Sequence, residues 1–187
     1  IAQVMLRAEA DERGWEEKQV LSELDRALAV MEESVQKGLN AEIKSVGGLI
    51  GGNGFKLYQR LSTGSICGNL VLKAVSYALA VTEVNAAMGR IVAAPTAGAS
   101  GVIPGIILAV TEEKKKSRQQ AIEALLVAGA VGKIIAANAT LAGAEGGCQA
   151  EVGSASAMAS AAAVYLDGGS AAMSLNAAAM ALKGLLG

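Results

Sequence analysis

The residues whose types best suit chemistry lie in one short segment, residues 143–153. Its centre is Cys148, which lies among flexible glycines and close to the polar residues Gln149 and Glu151. A thiolate with room around it can bind a metal ion, whereas a lone cysteine more often packs in the core like a small apolar residue. Taken by themselves, these residues favour the structural interpretation of Cys148 and leave the metal ligand as the alternative.

Candidate acids and bases are few, because the chain contains no histidine. The commonest general base and the neutral nitrogen ligand of zinc are therefore missing from it. Glu145 and Glu151 can serve as catalytic acid or base, but such carboxylates can equally cap a helix or anchor hydrogen bonds. A lysine could also hold pyridoxal phosphate, although no lysine lies in a loop that indicates this.

A second segment, residues 95–101, places small residues and hydroxyl groups just before a predicted helix. The free N–H groups and the dipole of a helix N-terminus can hold an anion such as a substrate carboxylate. A helix cap with a tight turn explains the same residues, and on these residues alone that interpretation is favoured. The segment lacks the Gly-Lys-Ser/Thr ending of a Walker phosphate loop.

Apolar residues at helical spacing predict the elements that position these two segments. Strand-like alternation is missing from the pattern, so we predict an all-α fold, a compact Ala/Gly-rich helical domain. Gly38 is predicted to end the first helix in the left-handed conformation, and Pro104 suits the first turn of a later one. The predicted helices span residues 16–36, 55–61, 70–88, 118–137, 154–166 and 171–186, and a further helix follows the loop that ends near Pro104.

Composition limits the class of protein. The 187 residues are 52% hydrophobic, which is enough for a real core in a single domain. A net charge of −1 gives no general attraction to nucleic acid or to anionic membranes. Two cysteines make no disulfide framework and no secretory signal is recognisable, so we expect a cytoplasmic protein.

The longest uncharged stretch, residues 91–111, approaches the length of a membrane span. Pro95, Pro104 and a centre rich in Gly, Ser and Thr interrupt it, so we predict a loop followed by a buried helix and no membrane partner. Position 1 is not Met, and the helical pattern continues into residues 185–187. We therefore expect a single helical domain over residues 1–187 that is incomplete at both termini.

Three segments form a recognisable set: VNAAMGR at residues 84–90, APTAGASGVIPG at 94–105 and GCQAEVGSA at 147–155. Together they resemble the alpha chain of bacterial iron-sulfur-dependent L-serine dehydratases. The resemblance implies an all-helical catalytic domain with a [4Fe-4S] cluster held by three cysteines. Cys148 matches the first of these ligands, and the other two belong to a later segment that this chain lacks. It follows that Cys67 is not a ligand and that this chain alone is inactive.

The family's reaction converts L-serine to pyruvate and ammonia, with an open iron of the cluster acting as Lewis acid on the hydroxyl. The base stays open between Glu145, Glu151, a lysine and a group from outside this chain. We expect the residues around the substrate to be polar groups and small residues of the matching segments, together with one more asparagine. These are Asn85, Thr96, Gly98, Ser100, Gly101 and Asn138.

Related proteins carry this domain fused to a second domain or paired with a separate beta chain. The two-chain arrangement is favoured here, so we expect a beta chain as partner in a homo- or hetero-oligomer. Two alternatives remain: a related cluster-dependent L-cysteine desulfidase, and a non-catalytic helical assembly subunit. Pocket shape must decide between serine, threonine and cysteine, because an apolar pocket discriminates one methyl group by only about 1–3 kcal/mol.

Overall fold

The computed structural model describes residues 1–185, and within that range the chain forms nine α-helices and one 3₁₀ helix, Arg60–Ser62, without a strand. The all-α prediction is confirmed. The α-helices are α1 (Ala2–Arg13), α2 (Glu17–Gly38), α3 (Asn53–Gln59), α4 (Gly68–Ala86), α5 (Val102–Glu113), α6 (Arg118–Asn138), α7 (Gly143–Gly146), α8 (Cys148–Leu166) and α9 (Ala171–Lys183).

The core lies where α4, α5, α6 and α8 pack together, with α2 against α4 and α9 against α8. Small side chains such as Ala124 and Ala161 are fully buried, which lets the helices approach closely. Tyr165 Oη on α8 donates a hydrogen bond to Glu123 on α6 at 2.6 Å. Burial, helped by this carboxylate, raises the pKa of Tyr165 to about 12.

The start of α6 follows directly from its sequence. Ser117 Oγ accepts a hydrogen bond from the backbone N–H of Gln120, and the Gln120 side chain accepts one from the backbone N–H of Ser117. This reciprocal capping box satisfies two backbone donors at the helix start. Within the described part of the chain, α6 is also the one helix that is long and apolar enough to cross a membrane. Half of its most apolar 18-residue stretch is buried inside this fold, as in a core helix.

The uncharged stretch at residues 91–111 is divided as the sequence predicts. A loop leads into α5, and Pro104 lies in the first turn of that helix, where its missing N–H costs no hydrogen bond. Ile103 and Ile107 on α5 are almost completely buried. The stretch is therefore loop and core helix within this fold.

Two predicted boundaries were wrong. Gly38 lies within α2 rather than in a left-handed cap, and a Cβ atom at this position would lie 2.1 Å from the carbonyl oxygen of Ala80. The glycine therefore serves the close approach of α2 to α4. The helix predicted to begin at residue 154 begins at Cys148, directly after Gly147 with φ 77°. The predicted end of the last helix, at Leu186, lies outside the described residues.

Among the described residues, Glu83 is the one charged residue that is buried, with 2% of its surface exposed. Its carboxylate accepts hydrogen bonds from the backbone N–H of Asn53 at 2.7 Å and of Gly54 at 3.3 Å, at the start of α3. Such charge-assisted bonds offset the cost of burying the carboxylate. Through them, α4 holds the N-terminus of α3 in place.

We expect Glu83→Ala to lower the free energy of unfolding of the full-length protein by about 2–4 kcal/mol, because two backbone donors lose their partner inside the fold. Urea denaturation measures this. The exposed Glu42 provides the control, and Glu42→Ala should change stability by less than about 0.5 kcal/mol. Equal effects of the two substitutions would contradict the role given to Glu83.

Candidate active site

The first turns of α8 lie against the loop of residues 94–101, which we call the Thr96 loop. Thr96 Oγ1 donates a hydrogen bond to Glu151 Oε2 at 2.6 Å. The backbone N–H of Ala99 donates to Thr96 Oγ1 at 3.3 Å, so the hydroxyl connects the loop to the carboxylate. This contact joins two of the segments that the sequence analysis identified separately.

Two glycines leave the space that the Glu151 carboxylate occupies. A Cβ atom at Gly98 would lie 2.5 Å from Glu151 Oε1, and one at Gly143 would lie 3.2 Å from the carboxylate carbon. A side chain at Gly98 would therefore force the carboxylate to move. Glu151 itself is half-buried between the Thr96 loop and the start of α7.

Asn85, in the last turn of α4, holds the Thr96 loop from the other side. Its Nδ2 donates a hydrogen bond to the carbonyl oxygen of Ala97 at 3.1 Å. In this structure the amide nitrogen anchors the loop, which was not foreseen from the sequence. A contact of Asn85 with substrate stays a prediction.

The Cys148 thiol is exposed at the first residue of α8. Residues three apart on a helix lie on the same face, so Cys148 and Glu151 are neighbours along one side of α8. Within residues 1–185, no group of three or more His, Cys, Asp or Glu side chains lies close enough together to hold a metal ion. Cys67 is also exposed, at the start of α4, where its Sγ lies 3.2 Å from Ser65 Oγ.

The N-terminus of α5 is enclosed by α4. Ser100 is 1% exposed, and its hydroxyl is without a hydrogen-bond partner in the described structure. A Cβ atom at Gly101 would lie 2.3 Å from the carbonyl oxygen of Ala78. Among the predicted substrate residues of this loop, Thr96 and Gly98 keep some exposure, whereas Ser100 and Gly101 are buried.

Asn138, the last residue of α6, and Glu145, in α7, each make hydrogen bonds of their own. Asn138 Nδ2 donates to the carbonyl oxygen of Ile134 in its own helix at 2.8 Å. Glu145 Oε2 accepts a hydrogen bond from Thr140 Oγ1 at 2.6 Å, beside a cavity of about 540 Å³. The hydrogen bonds thus bring Thr96 and Glu151 together but do not connect them to Asn138 or Glu145.

Cavity size does not identify the candidate site. A cavity of about 690 Å³ lies between α1, α2 and α6, and none of the candidate residues lines it. Its walls combine apolar side chains such as Leu24 and Leu125 with charged groups such as Glu9 and Lys133. Arg13 and Lys133 lower the pKa of Glu9, mainly through the hydrogen bond from Arg13. Four of the charged groups that line this cavity are therefore paired with one another, namely Glu9, Glu12, Arg13 and Lys133.

The family model described as "Serine dehydratase alpha chain" matches residues 1–187. The "Probable L-serine dehydratase, alpha chain" of Bacillus subtilis (strain 168) is 47% identical over 188 residues, covering 100% of this chain and 62% of that protein. The "L-serine dehydratase, alpha chain" of Peptoniphilus asaccharolyticus is 41% identical over 172 residues, covering 91% of this chain and 59% of that protein. This chain thus spans about three fifths of the length of these two relatives.

Proposed function

Because the chain belongs to the serine dehydratase alpha chain family, we propose that it supplies catalytic residues to an L-serine dehydratase, a lyase that forms pyruvate and ammonia from L-serine. The observation that best supports this is the Glu151 carboxylate, which Thr96 holds one helical turn from an exposed cysteine. A carboxylate held in this way can remove a proton from a bound amino acid.

Cys148 fits the role of one ligand to a [4Fe-4S] cluster. Its thiol is exposed at a helix start and follows two glycines, which leave room for a bulky group. Iron-sulfur clusters are held by several cysteine thiolates, so the remaining ligands must come from outside the described residues. When bound, the cluster would supply a Lewis acid to the substrate hydroxyl.

The residues of this chain act on the α-carbon of serine. Thr96 holds Oε2 of Glu151, which directs Oε1 toward the position where Gly98 has no side chain. Oε1 accepts the α-proton, the bond between the β-carbon and the hydroxyl oxygen breaks, and the departing hydroxyl takes up one proton, balanced by the one that Glu151 accepted, to leave as water. The resulting 2-aminoacrylate takes up one water molecule as it hydrolyses to pyruvate and ammonia. Asn85 keeps the Thr96 loop in place during these steps.

We further propose that the active enzyme is a cytoplasmic oligomer that contains a beta chain. The names of the Bacillus subtilis and Peptoniphilus asaccharolyticus relatives, each an alpha chain, support the partner. The two cysteines of this chain are both free thiols, as expected of a protein in a reducing compartment.

The test is product formation by the full-length protein, reconstituted anaerobically with iron and sulfide and assembled with its beta chain. We expect pyruvate release that depends on L-serine, and none from residues 1–187 alone. Release of sulfide from L-cysteine without pyruvate from L-serine would instead identify a desulfidase. An assembled protein that binds iron but converts neither amino acid would contradict the proposal.

A further inference from the structure

The cavity between α1, α2 and α6 lies apart from the candidate active site. Its volume of about 690 Å³ falls in the range of small-molecule pockets. Apolar side chains form much of its lining, and three of them, Val20, Leu125 and Leu126, are themselves buried. Met5 and Leu24 extend this apolar surface. A ligand that fills the cavity therefore needs a bulky apolar group.

Gly129 keeps part of the cavity wall free of side chains. It lies in the interior of α6, where glycine destabilises a helix relative to alanine. Packing explains Gly132 on the same helix, because a Cβ atom there would lie 2.7 Å from Met158 Cε. A Cβ atom at Gly129 would meet no described atom within 4 Å. Contacts within the described structure thus do not require a glycine here, and its effect is to leave room in the cavity.

The rim of the cavity carries charges of both signs. Arg13 donates a hydrogen bond to Glu9, and Lys133 contacts both Glu9 and Glu12. The hydrogen bond from Arg13 lowers the pKa of Glu9, so this carboxylate is ionised at neutral pH. The rim can therefore pair with a carboxylate group through its two cations and with an ammonium group through its carboxylates.

The ion pairs of the rim are open to exchange. The side chains of Arg13 and Lys133 are about half exposed to water, and ion pairs of this kind contribute little to stability. Glu23, from α2, is another half-exposed carboxylate of the same lining. A ligand that carries one charge of each sign can join this network without changing its net charge.

We propose that this cavity binds a free α-amino acid with a large apolar side chain. The side chain lies against the apolar wall beside Gly129. The α-carboxylate pairs with Arg13 or Lys133, and the α-ammonium group pairs with Glu12 or Glu23. Apolar amines and apolar acids fit the same wall but supply only one of the two charges. The site is separate from the serine site and does not depend on the proposed function.

Isothermal titration calorimetry of the full-length protein with L-leucine tests the assignment. We expect saturable binding and a change in the fluorescence of Trp15, which lines the cavity with Arg13 5.0 Å from its ring centre. Three control ligands each lack one feature of L-leucine: free glycine the apolar side chain, 3-methylbutylamine the carboxylate and 4-methylpentanoate the ammonium group. Each should bind about tenfold more weakly than L-leucine, or not at all.

Gly129→Leu fills the cavity from its own wall. Because its Cβ atom meets no described atom, and leucine favours a helix, we expect binding to be lost with the melting temperature unchanged or raised. Gly129→Ala is the matched control, since it leaves most of the space and should keep binding. Arg13→Gln, at an exposed side chain, should weaken binding about tenfold.

Three results would overturn the assignment. The first is an unaltered protein that shows no saturable binding of L-leucine. The second is equal affinity for L-leucine and the control ligands, because an apolar surface alone would then explain the binding. The third is full binding by Gly129→Leu, because L-leucine would then occupy another site. None of these measurements requires enzymatic activity, so a failure of the proposed function is seen separately.

Discussion

Replacing Glu151 by glutamine in the assembled enzyme should lower kcat for L-serine by about 100- to 10,000-fold, the usual contribution of a positioned general base. Glutamine has nearly the same shape, and its amide oxygen can still accept the hydrogen bond from Thr96. It cannot take up the α-proton. Because the loop contact survives, KM should change by much less than kcat, and steady-state pyruvate formation measures both constants.

Glu145→Gln is the informative comparison for this result. Glu145 belongs to the same glycine-rich segment, and it too is held by a threonine, Thr140, at 2.6 Å. The two variants therefore differ in which threonine-bound carboxylate is neutralised. A larger loss of kcat at Glu145 than at Glu151 would transfer the role of base to Glu145. Small losses at both positions would place the base outside this chain.

The helices that the sequence predicted well are those whose signals are local. The start of α6 depends on Ser117 and Gln120, two residues within one turn, and α5 begins close to Pro104. Gly38 was misinterpreted because its reason is a contact with Ala80, 42 positions further along the chain. A local sequence pattern contains no information about such a close contact between two helices.

The start of α8 was missed because glycines flank Cys148, and a glycine-rich composition is typical of loops. Only Gly147 has the left-handed φ that separates α7 from α8. Beyond it, the first turns of α8 gain the contact of Glu151 with Thr96, which is 55 positions away. Tertiary contacts of this kind override weak local preference.

The same limit applies to the candidate site. Residue type and family resemblance led to Cys148, Glu151 and the Thr96 loop, but not to the hydrogen bond that joins the loop to Glu151. The sequence analysis did not identify Glu83, although a signal existed. Helix α4 contains two charged residues, Lys73 and Glu83, and all its other residues are uncharged. A lone carboxylate in such a helix has to find partners inside the fold.

Replacing Cys148 by serine should remove cluster-bound iron and, with it, pyruvate formation. A serine hydroxyl is a much poorer ligand for cluster iron than a thiolate. The side chain is exposed at the start of α8, so the substitution should leave the melting temperature of the cluster-free protein unchanged. Iron and sulfide content and visible absorbance after anaerobic reconstitution report the cluster independently of activity.

Cys67→Ser is the control for Cys148→Ser, because it shows whether iron is lost through removal of a cluster ligand or through removal of any exposed thiol. Both cysteines are exposed and free, and both lie at the start of a helix, so reconstitution reagents reach them equally. We expect Cys67→Ser to keep the iron content of the unaltered protein. Iron lost from both variants would mean that thiol substitution in general prevents reconstitution. Iron kept by Cys148→Ser would show that the cluster is held without Cys148, and the placement of substrate beside Glu151 would lose its support.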